Sequence, residues 1–249
     1  MIRLKQLTQL TIVFLVTLPN SLQAQSVPTV PSNANDPIVF NAATPPSTGR
    51  PGRRSDAGSR GCKVDESSST AASKPLLALV PTQKTASATV VFGKTAAEYP
   101  TFWFYVPYRS VLKAAFVLQD QEGKTVYESD VAPSKTPGIL SVTLPTTVAP
   151  LETGQLYHWF FKLYCRSTSP PDSFVDGWIQ RESLPSDLTQ KLKMATLQQQ
   201  VRLYAANGVW FDALTTAAEL RRTTSGNSAW VELLKAIGLE NVAAEAIAP

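Results

Sequence analysis

Two cysteines, two methionines and a single histidine are all that this chain of 249 residues holds of the softer ligand side chains. That shortage leaves no ligand set for zinc or an iron–sulfur cluster, so neither a metal nor a cofactor is expected. Any histidine-dependent triad must use His158, which lies within a strand-like aromatic run. Its expected role is a packing residue hydrogen-bonded at one nitrogen. Charge is sparse as well, with 17% charged residues and a net charge of +4. So small an excess does not mark nucleic acid or an anionic membrane as an obligatory partner. Long apolar runs are missing too. Residues 10–18 (LTIVFLVTL) are nine in number, too few to span a bilayer.

That short run has a different meaning in context. Arg3 and Lys5 precede it, and a polar stretch ending at Ala24 follows, the order of a secretory signal peptide over 1–24. Leu22 is bulkier than the residue usual three positions before the cut. A periplasmic or extracellular location is therefore expected. In that setting Cys62 and Cys165 are expected to form a disulfide, two buried free thiols being the alternative. Residues 25–61 are rich in Pro, Ser, Asn and Gly and carry Arg50, Arg53, Arg54 and Arg60. They read as a disordered, solvated linker.

The next stretch reads as strands. Segments 76–80, 89–92, 101–106, 114–119, 125–129, 139–144, 156–165 and 174–180 are short, apolar and separated by turn residues. Asp120 to Gly123 supplies a hairpin loop. With no helical periodicity between them, the segments predict an antiparallel, immunoglobulin-like β-sandwich over 62–182. In 156–165, Tyr157, Trp159, Phe161 and Leu163 share the inward face with Cys165. His158, Phe160, Lys162 and Tyr164 fall on the other face, which is aromatic enough to need a cover. The obvious cover is the region 183–249, where the apolar period changes to about three and a half.

Leu188 and Leu192 mark a first helix there. Thr196 to Gln199 is a capping box opening a second, closed by Asn207-Gly208. Trp210, Leu214, Ala217 and Ala218 mark a third, and Trp230, Leu233, Leu234 and Ile237 a fourth ended by Gly238. A last short helix is predicted over 239–247. The second and third together look like one tetratricopeptide-type hairpin, and a single copy makes no repeat array. The predicted class is thus β plus α, a sandwich followed by a small helical domain.

Motif matches with catalytic meaning are weak. Ser110 and Lys113 fit S-x-x-K, but the companion elements of penicillin-recognising enzymes are missing. Gly93-Lys94-Thr95 resembles the end of a phosphate-binding loop, yet the required first glycine is Ala88. Asp172, Asp176 and Glu182 offer carboxylates for glycoside hydrolysis, although Asp176 before Gly177 reads better as shaping a bulge or capping the strand. Aromatic clustering is the stronger anomaly. Tyr99, Phe102, Trp103, Phe104, Tyr105 and Tyr108 crowd ten positions. If alternation is regular, Phe102, Phe104 and Val106 face inward and Trp103, Tyr105 and Tyr108 outward. Core and domain interface account for these rings most simply. Should they contact a ligand, Trp103, Tyr105 and Tyr108, with Trp210 on the third helix, are the expected contacts.

Several stretches in register resemble a known family. They are GRPGRRSDAGSRGC (49–62), LLALVP (76–81), YPTFWFYVPY (99–108), FVLQD (116–120), TPGILSVTLP (136–145), LETGQLYHWFFKLYC (151–165), FVDGWIQR (174–181) and YAANGVWFDALTTAAELR (204–221). Together they resemble a cyanobacterial family of exported proteins known as domain of unknown function 928. The resemblance implies export and an envelope or extracellular location, and it transfers no activity. The expected function is non-enzymatic binding or scaffolding with another envelope or secreted protein. A carbohydrate-binding module for envelope polysaccharide is the second reading, and a glycoside hydrolase-type enzyme the third.

Overall fold

The computed structural model describes residues 37–46, 51–56, 62, 74–85, 88–109, 111–132, 137–166 and 170–248. The expected signal peptide and Ser110 of the S-x-x-K match lie outside them. Strands β1 (Ser55–Asp56), β2 (Leu76–Ala78), β5 (Thr101–Val106) and β8 (Gly138–Thr143) form a four-stranded sheet in the order β1-β2-β5-β8. The six-stranded sheet runs β3-β4-β10-β9-β6-β7. Its members are β3 (Thr82–Lys84), β4 (Thr89–Thr95), β6 (Lys113–Gln119), β7 (Thr125–Val131), β9 (Leu156–Tyr164) and β10 (Ser173–Arg181). All eight strands expected from the sequence are present. Asp120 also builds the hairpin loop as expected, its Oδ1 accepting from the Glu122 and Lys124 backbone N–H groups.

Period-two alternation places the core. Phe102 and Phe104 of β5 point across to the larger sheet, with Phe102 4.7 Å from Phe116 and Phe104 stacked 4.2 Å from Phe161. Trp159, fully buried, lies 5.8 Å from Phe104 between the sheets. Each such ring buries some 150–250 Å² and dominates the packing energy.

Three expectations about the strands need correction. The sheets are not purely antiparallel, because β4 and β10 pair in parallel from Trp178↔Phe92 to Arg181↔Thr95. Short apolar segments specify an axis but not a direction, so this was not readable. Gly177 makes no bulge either. It pairs in regular register with Trp159, and glycine is required because a Cβ there would lie 2.5 Å from the indole Cζ2.

The third correction concerns the linker. Among its described residues, 37–46 and 51–56 run against the core as a belt. The Ile38 N–H donates to Glu232, the Asn41 N–H to the Ala205 carbonyl, and Phe40 packs edge-on to Trp210. Arg53 then exchanges two backbone hydrogen bonds with Asp176 of β10, both 3.0 Å, before β1 crosses to pair with β2 of the other sheet. Its two described arginines are not merely solvated: Arg53 lies over the Phe174 ring, and Arg54 donates to the Ile237 carbonyl, while Arg50 and Arg60 lie outside the described residues. Polar composition hid this because the bonds are made by backbone. Cys62 and Cys165 form the expected disulfide, which fastens the belt beyond β9.

Four α-helices follow: α1 (Ser186–Met194), α2 (Leu197–Ala206), α3 (Trp210–Thr223) and α4 (Ala229–Ala236). Thr196 and Gln199 form the reciprocal capping box. Gly208, at φ 72°, ends α2. The predicted last helix shrinks to a 3-10 turn at Glu240–Val242, after which Ile247 bridges Ile139 beside β8. An edge strand offering unpaired N–H and C=O groups competes there with further helix. Among the described residues no helix is long and apolar enough to cross a membrane.

Candidate functional site

The helices cover a different face from the one expected. Phe211 and Trp210 of α3 press on β4 at Gly93, and Phe211 also packs 5.2 Å from Phe102. Trp103 stacks edge-on 5.6 Å from Trp230 of α4 and donates its Nε1–H to Thr215 Oγ1. The outward face of β5 is therefore the helix interface. Trp103 is 2% exposed, Tyr105 4%, Tyr108 3% and Trp210 0%. None of these four expected contacts reaches solvent in a way that could stack a ligand. Trp210 instead bonds the Leu79 carbonyl. Tyr105 is enclosed with Lys74 and Glu245, and burial, aided by the Glu245 charge, pushes its phenol up to about 12.

The face holding His158 is left without helices. Its rings cover one another: His158 stacks on Trp178 at 4.1 Å and 11°, meets Phe160 at 4.1 Å, and bonds Asp176 at 2.9 Å. From the belt, Ala43 packs beside Val90, Phe92, Leu156 and Trp178. No nucleophile is placed against the His158–Asp176 pair by these contacts. Asp172 is occupied too, by the Cys165 N–H, then the Arg166 guanidinium and the Arg166 N–H, which hold its carboxyl below the usual range. Glu182 pairs with Lys94. The three acids thus serve separate structural contacts.

A cleft of about 130 Å³ opens instead where the β4–β5 connection meets α2 and α3. Thr95, Ala97, Tyr99, Pro100 and Thr101 form one wall, and Tyr204, Phe211, Asp212, Thr215 and Thr216 the other. Asp212 is in the first turn of α3, where the helix dipole favours a carboxylate. Its Oδ2 accepts from Thr95 Oγ1 at 2.8 Å and from the Ala96 N–H at 3.0 Å. Burial outweighs these hydrogen bonds and raises its carboxyl above the ordinary value. Burial, and then the Asp212 charge, likewise raises the Tyr204 phenol.

The signs give a pH prediction. A carboxyl raised in the folded state favours folding fully below its unfolded value, near about 4, and loses that contribution as pH rises through its folded value. Asp212→Asn lacks this loss but disturbs the hydrogen bonds to Thr95 and Ala96. Its stability deficit relative to the natural chain should therefore narrow as pH rises above ~4. Urea midpoints measured across that range check this, and a constant or widening deficit would contradict it.

Asp212 belongs to none of the catalytic motif matches above. The available signal was an acid directly after Trp210-Phe211 at the opening of an apolar helix, a position that buries it.

No curated protein matches the chain. A family model described as Domain of Unknown Function (DUF928) matches residues 55–247, which take in both sheets, the helices and every residue lining the cleft, and the chain belongs to that family.

Proposed function

We propose that this protein is a non-enzymatic binding module of the cell envelope, exported by its N-terminal segment, that contacts another envelope or secreted protein through the cleft. The two sheets then act as an immunoglobulin-like frame. The α2–α3 pair acts as a tetratricopeptide-type hairpin carrying one wall. The observation that carries the reading is the cleft itself, a concave seam between rigid elements with a few polar groups among aromatic walls. A polysaccharide platform is less well supported. The large hydrophobic side chains exposed among the described residues are Val39, Leu112, Val126, Met194 and Val231, and none is aromatic. Hydrolysis of a glycoside by two acids is less well supported again, since Asp212 is the one carboxylate lining the cleft among the described residues.

The test is site-specific photo-crosslinking in envelope extract, with the crosslinker placed at Thr101 on the cleft wall or at Val231 as a control. The reading predicts one protein adduct from Thr101 and none from Val231. Adducts of equal yield from both, or polysaccharide retention competed by free sugar without any protein adduct, would sink it.

A further inference from the structure

We propose that the cleft receives a basic side chain, the ammonium of a lysine or the guanidinium of an arginine presented by the partner protein. This rests on the protein-binding reading above. The charge and the rings that line the walls favour such a group. Four threonine hydroxyls would suit a sugar, but each is already engaged. Thr95 donates to Asp212, Thr216 donates to the Asp212 carbonyl at 2.8 Å, Thr215 accepts from Trp103, and Thr101 bonds Thr143. Each keeps capacity for one more hydrogen bond, so a polyol could be held there only alongside these existing partners.

Charge and ring faces are what set this cleft apart from a plain hydroxyl-lined one. Among the described residues no Lys, Arg or His lines the cleft. Asp212 is held by hydrogen bonds from neutral donors, so its negative charge is desolvated without a cation beside it. Glu98, next along the same connection, is also acidic, and its own partner is Arg181. Tyr99, Tyr204 and Phe211 provide rings around the carboxylate. A cation entering this space gains Coulomb attraction from Asp212 and the quadrupole of the rings, whereas an anion is repelled. A lysine or arginine stem is also the right shape, because its methylenes can lie on aromatic walls while the head reaches the acid. About 130 Å³ accommodates one such side chain rather than a folded surface.

The experiment titrates the exported chain with Nα-acetyl-lysine methylamide, reading binding from NMR shifts of the Tyr99 and Tyr204 rings. The neutral norleucine analogue is the first comparison. The proposal expects saturable lysine binding at least about tenfold tighter than norleucine and weakened by salt. It expects a similar loss in Asp212→Asn, whose folding is verified by its thermal midpoint. Should that variant fail to fold, the lysine–norleucine comparison and the salt dependence decide alone. Equal shifts for the two probes, insensitivity to salt, or tighter binding of methyl glucoside would overturn it. A Thr101 protein adduct together with no lysine binding overturns this inference and leaves the protein-binding reading standing. Loss of the adduct while lysine still binds does the reverse.

Discussion

Gly177→Ala is expected to destabilise the fold by about 3 kcal/mol, the upper end of what overpacking a core usually costs. The added methyl would meet Trp159 Cζ2 at 2.5 Å and Val91 Cγ1 at 2.8 Å. Neither neighbour has room to yield. Trp159 is fully buried between Phe102 and Phe104 at 6.3 and 5.8 Å, and Val91 is fully buried as well. Interiors packed this densely transmit strain to the backbone instead of absorbing it. Urea unfolding gives the cost directly, and a change below about 0.5 kcal/mol, the size of an ordinary surface substitution, would show that the strands can part. The clash also predicts rescue. Trp159 Nε1 has no hydrogen-bond partner among the described residues, so Trp159→Phe removes the offending Cζ2 without breaking a bond to any of them. The double variant should be more stable than the sum of its two singles by at least ~1 kcal/mol, as contacting residues couple.

Replacing both cysteines with alanine is expected to cost about 4–5 kcal/mol. Cys62 and Cys165 are 103 residues apart, and closing a loop of that size restricts the unfolded chain by this amount in the entropy model. The loss should not fall evenly. The belt retains the Arg53–Asp176 backbone pair, the Asp56 bond to the Phe174 N–H, and β1 against β2. It therefore loosens first and as a unit. Trypsin should cut after Arg53 and Arg54 well before the sheets unfold, and the urea midpoint should fall in parallel. Protection of both sites equal to that in the natural chain would mean that backbone pairing alone holds the belt.

Much of the fold was legible because burial imposes period. In β9, inward Tyr157, Trp159, Phe161 and Leu163 are buried while His158, Phe160, Lys162 and Tyr164 are half-buried. In α4, Trp230, Leu233 and Leu234 are buried. Alternation in β5 also assigned Phe102 and Phe104 correctly to the inter-sheet core. What alternation cannot say is what covers the other face. The helices cover Trp103, while the His158 row packs upon itself, so the rings chosen as contacts were interface residues. Asp212 escaped notice because an acid in a first helical turn is usually a solvated partner of the dipole. Its burial depends on a β4–β5 connection more than a hundred residues earlier.

The belt also bears on the order in which the molecule can be completed. Ile38 bonds Glu232, Arg54 bonds Ile237, and Arg53 pairs with Asp176. Residues near the beginning of the sequence thus close on residues near its end. Contacts so distant along the sequence are entropically costly and form slowly. A chain emerging amino end first must hold Phe40 without its partner until α3 has followed it out, and Ile38 until α4 has. During that interval both apolar side chains are available to chaperones or to neighbouring chains. Premature termination before residue 230 would leave Ile38 and Arg54 without Glu232 and Ile237, so the last helix completes the seating of the belt.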